Sequence, residues 1–595
     1  KTTPLLTNNI HNKLIYKTYT FRPNLKKPLL PFYFFSDYVV TNAPTDLRGV
    51  DYPGGVAALL LLYAARFAAA YGGIINDCDE TYNYWEPLHY LLYGSGLQTW
   101  EYSPTYAIRS YAPLWVLALP MKLVTYFASP HTIFYVLRFY LAAFTAIVEL
   151  LFYKAICREF GLNIGRLYLG LTLTSAGSFI SCAAMLPSNW SAILVTLAMA
   201  AWWKNHHHYA VLITAANAML SWPFAALTGV PIAIDMLIVR PKIKLFFKYA
   251  LISLLMLIPI IAIDSFHYGK LVVAPFNIVA YNIFTEHGPD LYGVEPWTYY
   301  FVNGFLNFNI VWVASLACPL VLLACSIVTR EAPSFCLPHW LSLLPFYLWL
   351  AVFIWQPHKE ERFLYPIYSM LVLCGAVCID GVQKLCFAVW RVLKGNRLTG
   401  HYIKYTTPVM WMCIVFAGIA GISRIGSLID NYSSPLTILR DLPTEIQGKT
   451  YVCFGKEWYR SPSSFHLPHP DYRIRFIQSD FKGQLPAPYT ESFLGSQIIH
   501  PHFNDQNIGN SSTYLPVKKC HYLVDSDLGT PTPAQPVYVD RTSIWEIVSI
   551  DKIIDATKSH RLLRAFYVPF LSDKHNVFAN LYLLRNKKLV VEKNE

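Results

Sequence analysis

Apolar residues fall along this chain in blocks. Windows at about 55–75, 111–128, 131–153, 166–186, 190–203, 208–238, 246–263, 308–328, 338–356, 363–381 and 407–427 carry almost no charge. A helix needs roughly 20 such residues to cross hydrocarbon, so the blocks predict roughly ten to twelve transmembrane helices. Pro and Gly in the turns blur the boundaries between residues 160 and 265. After residue 428 the pattern changes. Short β-like runs, Thr450–Phe454 and His521–Val524, alternate with Pro-rich turns. The predicted fold class is an all-α polytopic membrane protein with a mixed α/β C-terminal domain. Three pieces follow: a basic lead (1–54), a transmembrane domain with polar loops at 76–110 and 264–307 (55–428), and the C-terminal domain (429–595).

Composition supports the membrane reading. Of 595 residues, 54% are hydrophobic and 14% charged, and the mean hydropathy of +0.33 is too high for an ordinary soluble protein. The net charge of +12 is not a nucleic-acid signature, because it lies in segments that flank the membrane. Residues 1–50 hold seven Lys/Arg against two acids, and 382–405 holds Lys384, Arg391, Lys394, Arg397 and Lys404 with no acid. Loop 76–110 is the reverse, with five acids and Arg109. Basic loops stay in the cytosol, so the N-terminus and 382–405 are predicted there and 76–110 on the far side. A span at 407–427 then delivers the C-terminal domain to that far side. The basic loop at 154–166 is also predicted cytosolic. The first 50 residues have no signal-peptide core, so 55–75 is expected to act as an uncleaved anchor.

Twelve cysteines are scattered without metal-ligand spacing. Cys453 and Cys520, in the polar C-terminal part, read equally as a disulfide or as two buried thiols. Sequons stand at Asn189, Asn431 and Asn510, the last two in the far-side region, which suits the endoplasmic reticulum lumen. The triplet His206–His208 is read as a loop between spans.

Two polar clusters carry candidate chemistry. The first, NDCDETYNYWEP (76–87), gathers Asp77, Asp79, Glu80 and Glu86 where an apolar run ends. It reads either as a plain polar loop or, with its many rings (Tyr82, Tyr84, Trp85, His89, Tyr90), as a sugar-binding surface. The second, QPHKEERFLYP (356–366), reads either as a loop of compensating ion pairs or as an anion site, since Arg and Lys both suit phosphate. Together, a carboxylate and a cationic cluster on one membrane face fit sugar transfer from a lipid phosphate. A phosphate leaves without help from an acid. One carboxylate then suffices to deprotonate the attacking hydroxyl, cations stabilise the departing charge, and a single displacement inverts the anomeric centre. Asp264, His267 and Lys270 add a third polar group near the same surface.

The segments CDETYNYWEPLHYLLYGSGLQTWEYSPTYAIRSYA (78–112), GPDLYGVEPWTYYFVNGFLNFN (288–309) and QPHKEERFLYP (356–366) resemble those of the endoplasmic reticulum α-1,2-mannosyltransferases of the dolichol-linked oligosaccharide pathway. In the C-terminal domain, VCFGKEWYRSPSSFHLP, CHYLVD and LLRAFYVPFLSD look similar too. The resemblance implies a C-type glycosyltransferase fold of glycosyltransferase family 22. It implies transfer of mannose from dolichyl-phosphate mannose to a dolichyl-diphosphate oligosaccharide acceptor in the lumen, on acceptors of six and eight mannoses, for asparagine-linked glycosylation. No metal or other cofactor is expected, and the partners are these two lipids and the membrane. By the same resemblance Asp79 is the base, with Glu80 as the alternative, and His358, Lys359 and Arg362 hold the donor phosphate. Glu360 either contacts substrate or locks its cationic neighbours. Trp85, Glu86, His89, Arg109, His267 and Lys270 are candidate donor or acceptor contacts. The rival readings are a lipid-phosphate or oligosaccharide-lipid transporter and a non-catalytic subunit that presents the acceptor. Charges at one face and the lack of a repeat speak against the transporter.

Overall fold

The computed structural model describes residues 52–284, 289–329, 339–394 and 401–589. The basic lead before Tyr52, and Arg397 in the basic loop, lie outside the described residues. Among the described residues six helices are long and apolar enough to cross a membrane: Gly55–Gly72, Pro130–Glu159, Ile243–Tyr268, Ile310–Val328, Glu361–Leu393 and Tyr402–Tyr432. Three shorter apolar helices accompany them: Ala112–Val124, Pro223–Val239 and Trp340–Trp355. The chain is therefore a multi-pass membrane protein.

Several blocks that read as single helices are broken. The 208–238 block runs as a helix over His207–Ala216, loosens into a π turn, and stops at Trp222, whose backbone is extended. Pro223 enforces that break, since the residue before a proline is pushed out of helical geometry. His207 and His208 open this helix and are not a loop; His207 lies against Asp235 and Lys242. The 166–186 block likewise divides at Ser175. Arg66, the one charge in the first span, is buried and forms a two-pronged ion pair with Glu149 at 2.8 Å per contact. A charge inside hydrocarbon needs such a partner, and this pair ties the first span to Pro130–Glu159.

Among the described residues there are seven strands: β1 (Leu97–Gln98), β2 (Thr450–Phe454), β3 (Tyr472–Phe476), β4 (Ala487–Pro488), β5 (Tyr522–Ser526), β6 (Trp545–Ile554) and β7 (Phe578–Asn586). Five form one mixed sheet in the order β3-β2-β5-β7-β6, with β2 parallel to β3 and β5 and the other pairs antiparallel. The remaining two, β1 and β4, pair antiparallel and so join loop 76–110 to the C-terminal domain. Tyr90 stacks on Tyr489 at 4.0 Å, and the Glu86 carboxylate accepts bonds from the Ser464 amide and hydroxyl across the same junction. The loop and the domain thus form one packed body above the helices.

Cys453 and Cys520 form a disulfide between β2 and the start of β5, which decides between the two readings of these residues. Its loss is expected to cost about 2–5 kcal/mol. A Cys453→Ser chain should therefore show a lower apparent melting temperature by intrinsic fluorescence, and added reductant should shift wild type the same way. Of the three sequons, Asn189 lies buried in a helix and donates to the Ala184 carbonyl, and Asn431 is buried against Ser427 and Arg564. Neither is accessible as folded. Asn510 is exposed.

Candidate active site

The first span ends at Gly72, and the chain leaves it extended through Gly73. A Cβ on Gly73 would lie 2.5 Å from both the Ala69 carbonyl and the Arg138 guanidinium, so only glycine permits this exit. Asp77 then caps the next helical turn, Cys78–Glu80, and its Oδ1 accepts from the Asp79 amide at 2.9 Å. Asp-x-x-Glu over 77–80 is a start signal of this kind. A π segment over Thr81–Trp85 follows before regular helix resumes at Glu86–Tyr93. Inserted π turns often occur where function re-aims side chains. Here the turn lets Glu80 and Trp85 face inward, while Asp79 is a third exposed.

From the other side comes the stretch 356–362. Arg362 heads a 3₁₀ turn over Glu361–Ile367. Its guanidinium reaches Asp79 Oδ2 at 2.6 Å, Asp77 Oδ2 at 3.0 Å, and the Glu360 carboxylate. Three carboxylates thus share one guanidinium. Burial raises the Asp77 carboxyl above the ordinary range, Arg362 opposes this, and the neighbouring Glu360 and Asp79 charges add to it. For Glu360, burial works the same way but Arg362 and His358 outweigh it, and the group is held well below the ordinary range.

His358 sits between two acceptors. Its Nδ1 faces the Gly293 carbonyl at 2.8 Å and its Nε2 faces Glu360 Oε1 at 3.1 Å. Only the imidazolium can donate to both. Burial disfavours that charge, but these two contacts prevail and raise the His358 pKa. Lys359 is buried and points away from the acids, donating to the carbonyls of Glu295 (2.9 Å) and Gln356. It clips the segment after Gly293 to the 356–362 stretch.

A cleft lined by Tyr84, Arg109 and Trp222 opens near Asp79 and Arg362, whose charges both act on Tyr84. Arg109 lines it, held by two 3.0 Å bonds to Glu101 and donating to the Tyr84 hydroxyl at 2.8 Å. Tyr84, Trp190 and Trp222 form its aromatic wall. Trp222 in turn packs on Phe363, the neighbour of Arg362. Flat apolar rings beside a fixed fork of donors suit a sugar, whose ring stacks while its hydroxyls bond.

The remaining candidates sit in other surroundings. Glu80 is buried and accepts from the Trp85 indole and the Met185 amide, both at 3.0 Å, and burial raises its pKa. Trp85 is thereby enclosed. Glu86 accepts from Leu97 and Ser464 and is pushed up to about 7 by burial. His89 bonds the Ser95 carbonyl and is pushed down to about 4 by burial. His267 stacks on Tyr111 and accepts from the Trp115 indole, and Asp264 caps the helix at Ala112 through the Tyr111 and Ala112 amides. Lys270 is exposed beyond that span. The structure therefore unites Asp79, Arg362, His358 and Glu360 beside Arg109.

Four contributors carry little signal in the sequence: Asp77, Glu101, Trp190 and Trp222. Asp77 was visible as an acid, and its capping position was the signal for its second role. Glu101 carried no signal beyond charge, and Trp190 and Trp222 look like any span tryptophan. The side chains of Asp77, Cys78 and Asp79 lie within 4.8 Å of one another, a spacing a cation could use, but Arg362 already occupies both carboxylates.

Residues 57–468 match the Alg9-like mannosyltransferase family. The human alpha-1,2-mannosyltransferase ALG9 is 44% identical over 554 residues, covering 90% of this chain and 89% of its own. Its Drosophila melanogaster counterpart is 42% identical, with shares of 90% and 88%. Among solved structures, ArnT from Cupriavidus metallidurans bound to undecaprenyl phosphate superposes with a TM-score of 0.53 at 11% identity, covering 83% of this chain and 95% of that one. That likeness concerns the fold alone.

Proposed function

This chain belongs to the Alg9-like mannosyltransferase family, and from that premise we propose that it transfers mannose from dolichyl-phosphate mannose to a dolichyl-diphosphate oligosaccharide. The new bond is α-1,2, formed with inversion on acceptors of six and eight mannoses. The reaction serves asparagine-linked glycosylation and takes place on the luminal face of the endoplasmic reticulum membrane, with the N-terminus cytosolic. The disulfide between Cys453 and Cys520 supports an oxidising compartment for the C-terminal domain.

The observation that carries the mechanism is the Asp79–Arg362 contact beside the cleft. Asp79 is the base: it is the carboxylate of the pair with solvent access, whereas Glu80 is sealed by Trp85 and Met185. The attacking acceptor hydroxyl gives its proton to Asp79 as its oxygen bonds the anomeric carbon. The bond from that carbon to the donor phosphate oxygen breaks, and the electron pair leaves with the phosphate. Arg362 and His358 stabilise that anion, with Lys359 adding charge from behind the loop. Glu360 holds both cations in place. Arg109 and the aromatic wall seat the sugar.

Because cationic side chains stabilise the leaving phosphate, the reaction needs no metal. Transfer by purified protein in detergent should persist in EDTA; loss of transfer on chelation, restored by a divalent ion, would contradict this. The pH dependence has a definite sign. His358 adds positive charge to the phosphate site only while protonated, and its pKa is raised, so donor affinity is full in mild acid and falls as pH rises through that value. Donor binding measured from pH 6 to 9 should weaken toward the alkaline end, and His358→Gln should flatten the profile.

A further inference from the structure

Two loops of the C-terminal domain carry large apolar side chains to the surface. One spans residues 491–499 and exposes Phe493 at 86%, with Leu494 and Ile499 beside it. The other spans 562–571 and exposes Phe570 at 87%, with Leu562 and Leu571. Contiguous exposed patches of this kind mark interaction sites. Phe570 also adopts φ 65°. The left-handed region is a strained conformation for a bulky L-residue. That strained backbone leaves the ring turned outward, away from the domain.

Both loops are fastened where spans leave the hydrocarbon. In the first, Gln497 donates to the Phe266 carbonyl at 2.7 Å and Ser496 to the His267 carbonyl at 2.9 Å, and Phe493 packs on Phe266. These partners form the last turn of the Ile243–Tyr268 span. In the second, the Tyr567 amide donates to the Ser423 carbonyl at 2.9 Å and Arg424 donates to the Ala565 carbonyl. Ser423 lies about 30 Å along its helix from Tyr402 at 1.5 Å per residue, about the thickness of the hydrocarbon core. One domain holds both loops, so both span ends open on the same membrane face. The exposed Arg561 and Lys574 flank the second loop and match lipid phosphates.

We propose that loops 491–499 and 562–571 are two membrane prongs. Their apolar tips enter the interfacial lipid and seat the C-terminal domain on the bilayer. Loop 491–499 follows β4 directly, so the seat also steadies the strand that pairs with loop 76–110 above the candidate site.

Photocrosslinking of the full chain in nanodiscs tests this. p-Benzoyl-phenylalanine replaces Phe493 or Phe570, the discs contain an alkyne-tailed phosphatidylcholine, and lipid adducts are read on a denaturing gel after dye coupling. Phe416, exposed within the Tyr402–Tyr432 span, serves as the lipid-facing reference, and Asn510 sets the background. Positions 493 and 570 should label close to the Phe416 level and several-fold above Asn510. Labelling at background while position 416 labels well would overturn the proposal. So would adducts at 493 or 570 that join two copies of the chain in place of lipid.

Discussion

Asp79→Asn should bind dolichyl-phosphate mannose with near wild-type affinity and yet fail to turn it over. Asparagine is isosteric and keeps an acceptor toward Arg362, which also retains Asp77 and Glu360 as partners. The binding cluster therefore persists. What is lost is the basicity that accepts the proton of the attacking hydroxyl. A positioned general base contributes roughly 100- to 10,000-fold, so single-turnover transfer should fall by about that factor. Melting behaviour should stay close to wild type, since the side chain is a third exposed. Glu80→Gln supplies the contrast. It disturbs a buried bond to the Met185 amide and is expected to lower stability more than the rate of the chemical step. A chain in which Asp79→Asn keeps most of its rate would remove Asp79 from the proton chemistry.

Arg362→Gln should be inactive and also less stable. The guanidinium is the common partner of Asp77, Asp79 and Glu360, and its side chain is 12% exposed. Removing one member of a largely buried ion pair leaves uncompensated charge and costs roughly 3–5 kcal/mol. The sign of the pH dependence follows from Glu360. Its pKa is held down in the folded chain, so its contribution to stability is present above the unfolded value and is lost as pH falls. The stability gap between wild type and Arg362→Gln should thus be widest near neutral pH and narrow on acidification. Arg362→Lys restores a charge but no fork, and should recover stability better than transfer. Melting curves from pH 4 to 8 beside transfer assays would separate the two effects.

Much of this was legible before the structure, for reasons that differ by element. Long apolar blocks must become spans because hydrocarbon tolerates no unpaired backbone. The blocks at 131–153, 246–263 and 407–427 accordingly fall within long helices, and the block at 308–328 matches one from its third residue on. The block at 208–238 misled because mean apolarity does not register the backbone break that one proline imposes. Each half of the candidate site was also readable as a charge cluster at the end of an apolar block. Their meeting was not. Asp79 and Arg362 lie 283 positions apart, and Arg66 and Glu149 lie 83 apart. Ion pairs at such separations leave no local pattern. Lys359 shows the converse: its charge reads as an anion ligand, whereas its amine is engaged by the carbonyls of Glu295 and Gln356.

The most direct test is the structure of the product. Purified protein should be given dolichyl-phosphate mannose and a six-mannose lipid-linked acceptor, and the new linkage read by NMR and by digestion with an α-1,2-specific mannosidase. The mechanism predicts one added mannose, α-1,2-linked, from a β-linked donor. A β-linked product would contradict the single displacement at Asp79. No product, with both lipids shown to bind, would contradict catalysis by this chain and favour a role in presenting or moving lipid-linked sugar.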